Sequence, residues 1–344
     1  MTVTIAEVAA AADVSTSTVS RCFAQPDAVR ADTRERVLEA ARRLGYTPNR
    51  IARSLAVGRT RTLGLIVPDI GNLFFASIAK AVQARARAKD YAVFLADTDE
   101  QPGDEAELAL TMAKQVDGLL LVAPRMSEDE LTEVVAAAPA VLLNRRMDGV
   151  SSVAAAGAEG VRMAAEHVRA LGHRHLALIL GARNSWSSME RSRAARQACE
   201  ELGLQLTEFG PLPPKFGSGV GAADLVLAAG PTAVVAHNDM VALGLISRFA
   251  ERGVRVPDDM SVVGCDDTLL ARTATPSLTS VSIPLDSLGR QAVDLMVRTL
   301  DQPGHRPAPA ETVLESGLTV RRSTGPLRTQ AAPPTATTTQ PHRS

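Results

Sequence analysis

The stretch TIAEVAAAADVSTSTVSRCF, residues 4–23, decides how the rest of the chain is read. Thr4 with Glu7 three residues later is a capping-box pattern, and Ile5, Val8, Ala9 and Ala12 recur behind it at helical spacing, which predicts a helix over 5–12. Asp13 and Val14 interrupt that pattern. Ser15 is a good N-cap for a second helix in which Val19 and Cys22 or Phe23 face inward. A third helix is predicted from Asp32, where Glu35 completes another capping box; Val37, Leu38, Ala41 and Leu44 form one apolar stripe, and Gly45 ends it. Residues 1–46 therefore read as an all-α helix-turn-helix head with a supporting helix.

The second helix begins with a run of short hydroxyls that builds no core. In a helix-turn-helix the second helix lies in the major groove of DNA and its first residues reach base edges. Thr16 and Ser17 would stand there, able to hydrogen-bond a base or to touch a thymine methyl, and Arg21, a turn on, reaches a guanine or a phosphate. The other reading is that the hydroxyls merely cap the helix and that Arg21 is a solvated surface cation.

YTPNRIARSLAVGRTRT, residues 46–62, continues with a proline turn and about eight residues of helix-compatible sequence before Gly58. A helix that short is marginal alone and would order on a partner. Residues 47–61 are thus expected to be a hinge helix and linker, with Asn49, Arg50 and Arg53 as DNA contacts and Arg59 and Arg61 as further phosphate ligands. Leu55 has little nearby to bury it. Either it wedges between base steps in the minor groove, where partial unstacking is offset by contact with the bent duplex, or it packs on the next domain.

Charge divides the chain at the same place. Residues 1–62 hold ten Arg and no Lys against six acidic residues, or +4, while the whole chain carries −1, which leaves −5 for the remainder. A basic head on a slightly acidic body suits a nucleic-acid partner. Cys22, Cys199 and Cys265 are too few and too widely spaced for a disulfide framework or a metal site. No apolar run approaches the roughly 18 residues of a membrane span, and the N-terminus lacks a signal pattern, so a cytoplasmic protein with no membrane partner is expected.

With 344 residues, 45% of them hydrophobic, the chain can fill two or three domains. From Leu63 onward LGLIV, AVFLA, GLLLV, AVLL, LALIL, AVVAH and SVVGC alternate with helical stretches, the pattern of parallel α/β sheets with helices on both faces. Seven such runs exceed one compact sheet, so two lobes are predicted: one over about 62–155 plus 285–305, the other over about 156–283, crossing near SSVAAAG (151–157) and LTSVSIP (278–284). Residues 323–344, rich in Pro and Thr, are expected to be disordered. Ligands of open α/β sheets bind beyond the carboxyl ends of strands. Asn72 and Phe74 follow LGLIV, Asn238 and Asp239 follow AVVAH, Asp266 and Asp267 follow SVVGC, and Arg191 is expected to open the helix after LALILGARNSW. An amide, a guanidinium and carboxylates converging on a cleft suit a polar small molecule, though each residue alone could equally be an N-cap or a surface ion pair.

The run TIAEVAAAADVSTSTVSRCF followed by TRERVLEAARRLGYTPNRIARSLAVGRTRTLGLIVPDI resembles the head and hinge helix of the lactose-repressor and galactose-repressor family of bacterial transcription regulators, and the similarity extends to about residue 322. The resemblance implies that 62–322 is a two-lobed body like the periplasmic sugar-binding proteins, binding an effector and forming a dimer. It places Thr16, Ser17 and Arg21 on operator-reading positions and Leu55 on the intercalating hinge leucine. It makes Arg191, Asn238 and Asp266 effector contacts, with Phe74, Phe75 and Phe216 as apolar walls, beside the strand-end residue Asn72. Three positions depart from the family: Asp13 where a turn glycine is usual, Leu73 where Pro is usual, and Ala156 where many members carry an acid facing the effector.

Two rival classes fare worse. GSGVG, 217–221, follows PLPPKF rather than a strand, so it is no phosphate loop; His173 and His175 read as the turn into a strand rather than a metal pair; and no G-x-S-x-G elbow is present. A secreted binding protein would need a signal peptide and would not carry the head. The expectation is a non-enzymatic repressor without cofactor or metal, a homodimer on a pseudopalindromic operator in double-stranded DNA, answering to a carbohydrate effector.

Overall fold

In the computed structural model, residues 3–24, 26–46, 59–302 and 308–327 are described. The hinge candidates Asn49, Arg50, Arg53 and Leu55 lie outside them. Helix α1 (Ile5–Ala12) opens on the reciprocal Thr4–Glu7 capping box and ends at Asp13, whose φ of 52° and ψ of 55° are left-handed. Asp is among the few side chains that tolerate this conformation, so it can stand in for a turn glycine. Helix α2 (Thr16–Ala24) follows after three residues, and α3 (Ala31–Leu44) crosses both. Val8, Ala9, Ala12, Val19, Cys22, Val37, Ala40 and Ala41 make the head's core. Two expectations shift here. Helix α3 starts at Ala31 with Arg30 at the N-cap and no side-chain cap bond, so Asp32 lies inside the helix, and Leu38 is 36% exposed while Ala40 takes the inward place.

The body alternates strand and helix: β1 (Thr62–Val67), α4 (Leu73–Ala88), β2 (Ala92–Asp97), α5 (Pro102–Ala113), β3 (Gly118–Val122), α6 (Glu128–Ala137), β4 (Ala140–Leu143) and β5 (Ser152–Ala155). The chain then crosses into α7 (Gly157–Ala170), β6 (His175–Ile179), α8 (Trp186–Leu202), β7 (Gln205–Phe209), α9 (Phe216–Ala229), β8 (Ala233–Val235), α10 (Asp239–Glu251), β9 (Ser261–Asp266), α11 (Leu269–Thr273) and β10 (Thr279–Ser282). It returns through α12 (Leu285–Leu300) and β11 (Glu311–Leu314), and crosses once more to β12 (Gly317–Thr319). The first sheet runs β11-β5-β4-β3-β1-β2, all parallel; the second runs β12-β10-β9-β8-β6-β7, parallel except for β12. Central strands such as β1 and β3 are buried along their whole length, as strands covered on both faces must be.

The structure corrects the predicted layout at its edges. Strand β11 pairs with β5 and β12 with β10, so lobe 1 reaches Leu314 and a third segment crosses between the lobes. The expected tail is anchored at its start. Ser323 is fully buried and binds Val262 and Thr279, His173 is 3.1 Å from the Gly325 carbonyl, and the Leu327 amide donates to Leu171. Two helix contacts need glycine: Gly289 lets α12 lie on α4, and Gly219 with Gly244 lets α9 lie backbone to backbone on α10. That contact accounts for part of the glycine-rich run 217–221. Among the described residues, no helix is long and apolar enough to cross a membrane.

Candidate functional site

On the head, Ser15 settles which hydroxyl caps. Its Oγ accepts from the Thr18 amide at 3.2 Å, while Thr16, Ser17 and Arg21 stand exposed on the side of α2 away from Val19 and Cys22. Capping and an outward polar face are thus divided between neighbouring residues. Arg59 and Arg61, expected as phosphate ligands, are engaged by the body: Arg59 binds the Leu300 carbonyl and Asp301, and Arg61 lies over the Tyr91 ring.

The carboxyl ends of β1, β3 and β4 in one lobe meet those of β6, β8 and β9 in the other, and the segments that leave them line one narrow cavity of about 30 Å³. Asn72 caps α4, its Oδ1 accepting from the Phe74 amide at 3.0 Å, which leaves its NH2 as the group to offer. Asn238 caps α10 in the same way and donates to the Pro214 carbonyl. Both are N-caps and both line the cavity, so the two readings of these residues hold together. Arg191 sits in the second turn of α8 rather than opening it, because Ser185 caps the helix. Its guanidinium donates to the His237 carbonyl at 2.7 Å and to Ser187, and lies 3.0 Å from the Cys265 Sγ. Lobe 2 therefore holds Arg191 in place without help from a ligand.

Asp266 closes β9 with a φ of 110°, a conformation L side chains rarely adopt. The next residue is tied on two sides: its amide donates to Ser280 Oγ, and its carboxylate pairs with Arg321 at 2.5 Å. Ser280 in turn donates to Asp239 at 2.6 Å, and Asp239 also accepts from the Thr268 amide and hydroxyl. Burial pushes Asp239 up to about 6. Burial first, then repulsion from Asp239, pushes Asp266 well above the usual carboxylate range, against the pull of Arg191. Burial and the nearby Arg191 charge hold His237 well below its ordinary value.

Asn72, Phe74, Phe75, Arg191, Asn238 and Asp266 come together on this lining; Phe216 does not, for it starts α9 with 42% of its surface exposed. The lining also contains Arg125, Asn144 and His237. Arg125 and Glu100 form a two-pronged pair at 2.6 and 3.0 Å with side chains 6% and 10% exposed, and the Arg125 Nε is buried without an acceptor. Lys215 reaches Asp99 across the lobes at 3.4 Å, and Arg146 lies over the Trp186 ring, both outside the cavity. A larger hollow of about 820 Å³ lies at the opposite end of lobe 1, by Pro139 and Gly149, where strands begin rather than end and no such polar set converges.

Residues 4–49 match the family described as bacterial regulatory proteins, lacI family, and residues 165–324 match a periplasmic binding protein-like domain. The HTH-type transcriptional regulator DegA of Bacillus subtilis is 32% identical over 339 residues, which is 96% of this chain and 100% of DegA. The HTH-type transcriptional repressor PurR of Haemophilus influenzae is 32% identical over 86% of this chain and 91% of PurR. Among solved structures, the lac repressor dimer bound to operator and the anti-inducer ONPF aligns with a TM-score of 0.84 at 28% identity, over 94% of this chain and 100% of that one. A complex of the transcriptional regulator CelR with cellobiose aligns at 0.69 and 31% identity, over 93% and 99%.

Proposed function

The chain belongs to the lacI family of bacterial regulatory proteins, and on that premise we propose that it is a cytoplasmic, dimeric repressor whose hold on a pseudopalindromic operator is set by a carbohydrate effector in the interlobe cleft. The observation that carries the reading is the meeting of strand-end amides, guanidinium and carboxyl from both lobes on one lining, joined to a head whose exposed helix face is polar and basic. Amides that both donate and accept, with a fixed Arg191 and a buried Asp266, match the paired donor and acceptor character of sugar hydroxyls. The match to a dimer on operator and to a cellobiose complex supports the same assignment.

One head touches few base pairs, so useful affinity takes two heads on a twofold site. Thr16, Ser17 and Arg21 would read bases or grip phosphates, Asn49, Arg50 and Arg53 would hold the backbone near the hinge, and Leu55 would enter the minor groove. A cavity of about 30 Å³ has room for a water or two, not for a sugar ring, so the lobes must part to admit one. An effector that prefers one lobe spacing shifts DNA affinity by its differential affinity for the two arrangements. On this reading the arrangement serves regulation by binding.

A footprint of the full-length protein on the promoter DNA beside its own gene, repeated with a panel of sugars, tests the proposal. A protected pseudopalindrome that one sugar releases or strengthens is expected. No protected site there, and none recovered by selection from random DNA, would overturn it.

A further inference from the structure

The chain enters lobe 1 through residues that are tied to it before β1 begins. Both oxygens of Asp117 hold them: Oδ1 accepts from the Thr60 amide at 2.7 Å and the Thr60 hydroxyl at 2.8 Å, and Oδ2 accepts from the Arg61 amide at 2.9 Å. Arg61 stands at a φ of 51°, in the left-handed region that a bulky L side chain keeps only where its surroundings over-determine it. Here they do. Besides the carboxylate on its amide, its carbonyl accepts from the Ala92 amide at 2.9 Å and its guanidinium lies over the Tyr91 ring.

Arg59 supplies a second grip. Its guanidinium donates to the Leu300 carbonyl, one of those that a helix end leaves to outside donors, and pairs with Asp301 at 3.5 Å. The two anchor points belong to one block. A Cβ on Gly118, next to Asp117, would lie 2.4 Å from the Met296 sulfur, so the start of β3 packs directly on the last turns of α12. Helix α12 begins at Leu285, at a crossing between the lobes, and its length carries Leu300 roughly 24 Å from there.

What these ties do is decided by length. A chain free from residue 47 to residue 61 would span roughly 20 Å in root mean square, whereas one base pair shifts a half-site by only about 3.4 Å. Heads on such tethers would accept a spacer a base pair longer or shorter. Held at Thr60 and Arg61, the segment leaves lobe 1 from a fixed point, and the separation of the two heads in a dimer becomes a property of the body.

We propose that Asp117 is a positioning residue for operator recognition: by holding Thr60 and Arg61, with Arg59 against the end of α12, it fixes where each hinge segment leaves lobe 1 and so sets the half-site spacing that the dimer accepts. This rests on the operator reading above.

The test is gel-shift titration of the full-length protein on the site found by footprinting or by selection from random DNA, and on versions with one base pair added to or removed from its centre. The parent should lose tenfold or more in affinity for either change. Asp117→Ala should bind the original spacing at least threefold more weakly and separate the three spacings by less than threefold. Asp117→Asn, which keeps one accepting oxygen, should fall between them. Arg59→Ala, which leaves β3 untouched, should relax the spacing preference in the same direction if Asp117→Ala does not fold. Variants that weaken all spacings by one common factor, or a parent indifferent to spacing, overturn the positioning role. So does an Arg59→Ala variant that only lowers the salt slope, the mark of a phosphate contact. A parent that recovers no site at all overturns the operator reading and this inference with it.

Discussion

Gly219 and Gly221 stand two residues apart on α9, and alanine at the two positions should move stability in opposite directions. A Cβ on Gly219 would lie 2.1 Å from the Val241 carbonyl oxygen, 1.3 Å short of the 3.4 Å where ordinary contact begins; a Cβ on Gly221 meets nothing within 4 Å. The obstacle at Gly219 is backbone, so α9 and α10 must separate, and overpacking of this kind costs about 3 kcal/mol, at the upper end of its usual range. Alanine returns about 1 kcal/mol of helix propensity at either site. The expected results are a net loss of about 2 kcal/mol for Gly219→Ala and a gain of about 1 for Gly221→Ala, a difference of about 3 kcal/mol or roughly 6–12 °C in Tm. Thermal melts followed by circular dichroism would measure it. Separation would also pull Asn238, which caps α10, from the Pro214 carbonyl just before α9, so effector binding should weaken in the first variant only. Equal melting temperatures would refute the backbone contact between these helices.

Four further outcomes are expected. Arg191→Ala should abolish the response to effector in a gel-shift assay while operator binding persists; a normal response would remove Arg191 from the site. Arg21→Ala should weaken specific binding by about 1–3 kcal/mol if the side chain reads guanine, or lower the salt slope by about one if it grips a phosphate, and no change in either would take it off the DNA. Leu55→Ala should weaken specific operator binding and leave the melting of the body unchanged; unaltered affinity would discard the minor-groove wedge. Burial holds the His173 imidazole below its ordinary value, so the unfolded chain takes the proton first as pH falls through about 6.5. Stability present above that pH is therefore lost below it, and His173→Gln should flatten this part of the stability profile relative to the parent, a difference visible in urea melts at pH 7 and 5.5.

Local signals made the head legible. The Thr4–Glu7 cap, the interruption at Asp13 and the stop at Gly45 are decided by residues within four positions of one another, and they appear in the structure as read. The same holds for strands buried on both faces, which show as unbroken apolar runs. Strands β7, β11 and β12 were not legible because they lie at or near sheet edges, carry polar residues such as Gln205, Glu208 and Glu311, and owe their pairing to distant partners: Glu311 aligns with Ser152. In the cleft, the strand-end rule found Asn72, Asn238 and Asp266, and applied to GLLLV and AVLL it would also have found Arg125 and Asn144. Glu100 could not be found that way. It reads as a surface acid until folding buries it against Arg125, 25 residues on. Phe216 stands outside the lining because it opens α9 with its ring half-exposed, and an aromatic at a helix start gives no sign of which way it will face.

The third crossing has a mechanical consequence. A pair of connectors side by side leaves the lobes free both to bend and to twist, whereas three bridges, at 155–157, 282–285 and 314–317, resist torsion and leave bending as the soft mode. The last of them carries on into Arg321, which grips Asp267 directly beside the Asp266 that faces the cavity. A molecule pressing on that carboxyl therefore acts on one end of a strap, and its push is delivered as rotation about a single axis rather than dissipated as random wobble of two loosely joined bodies.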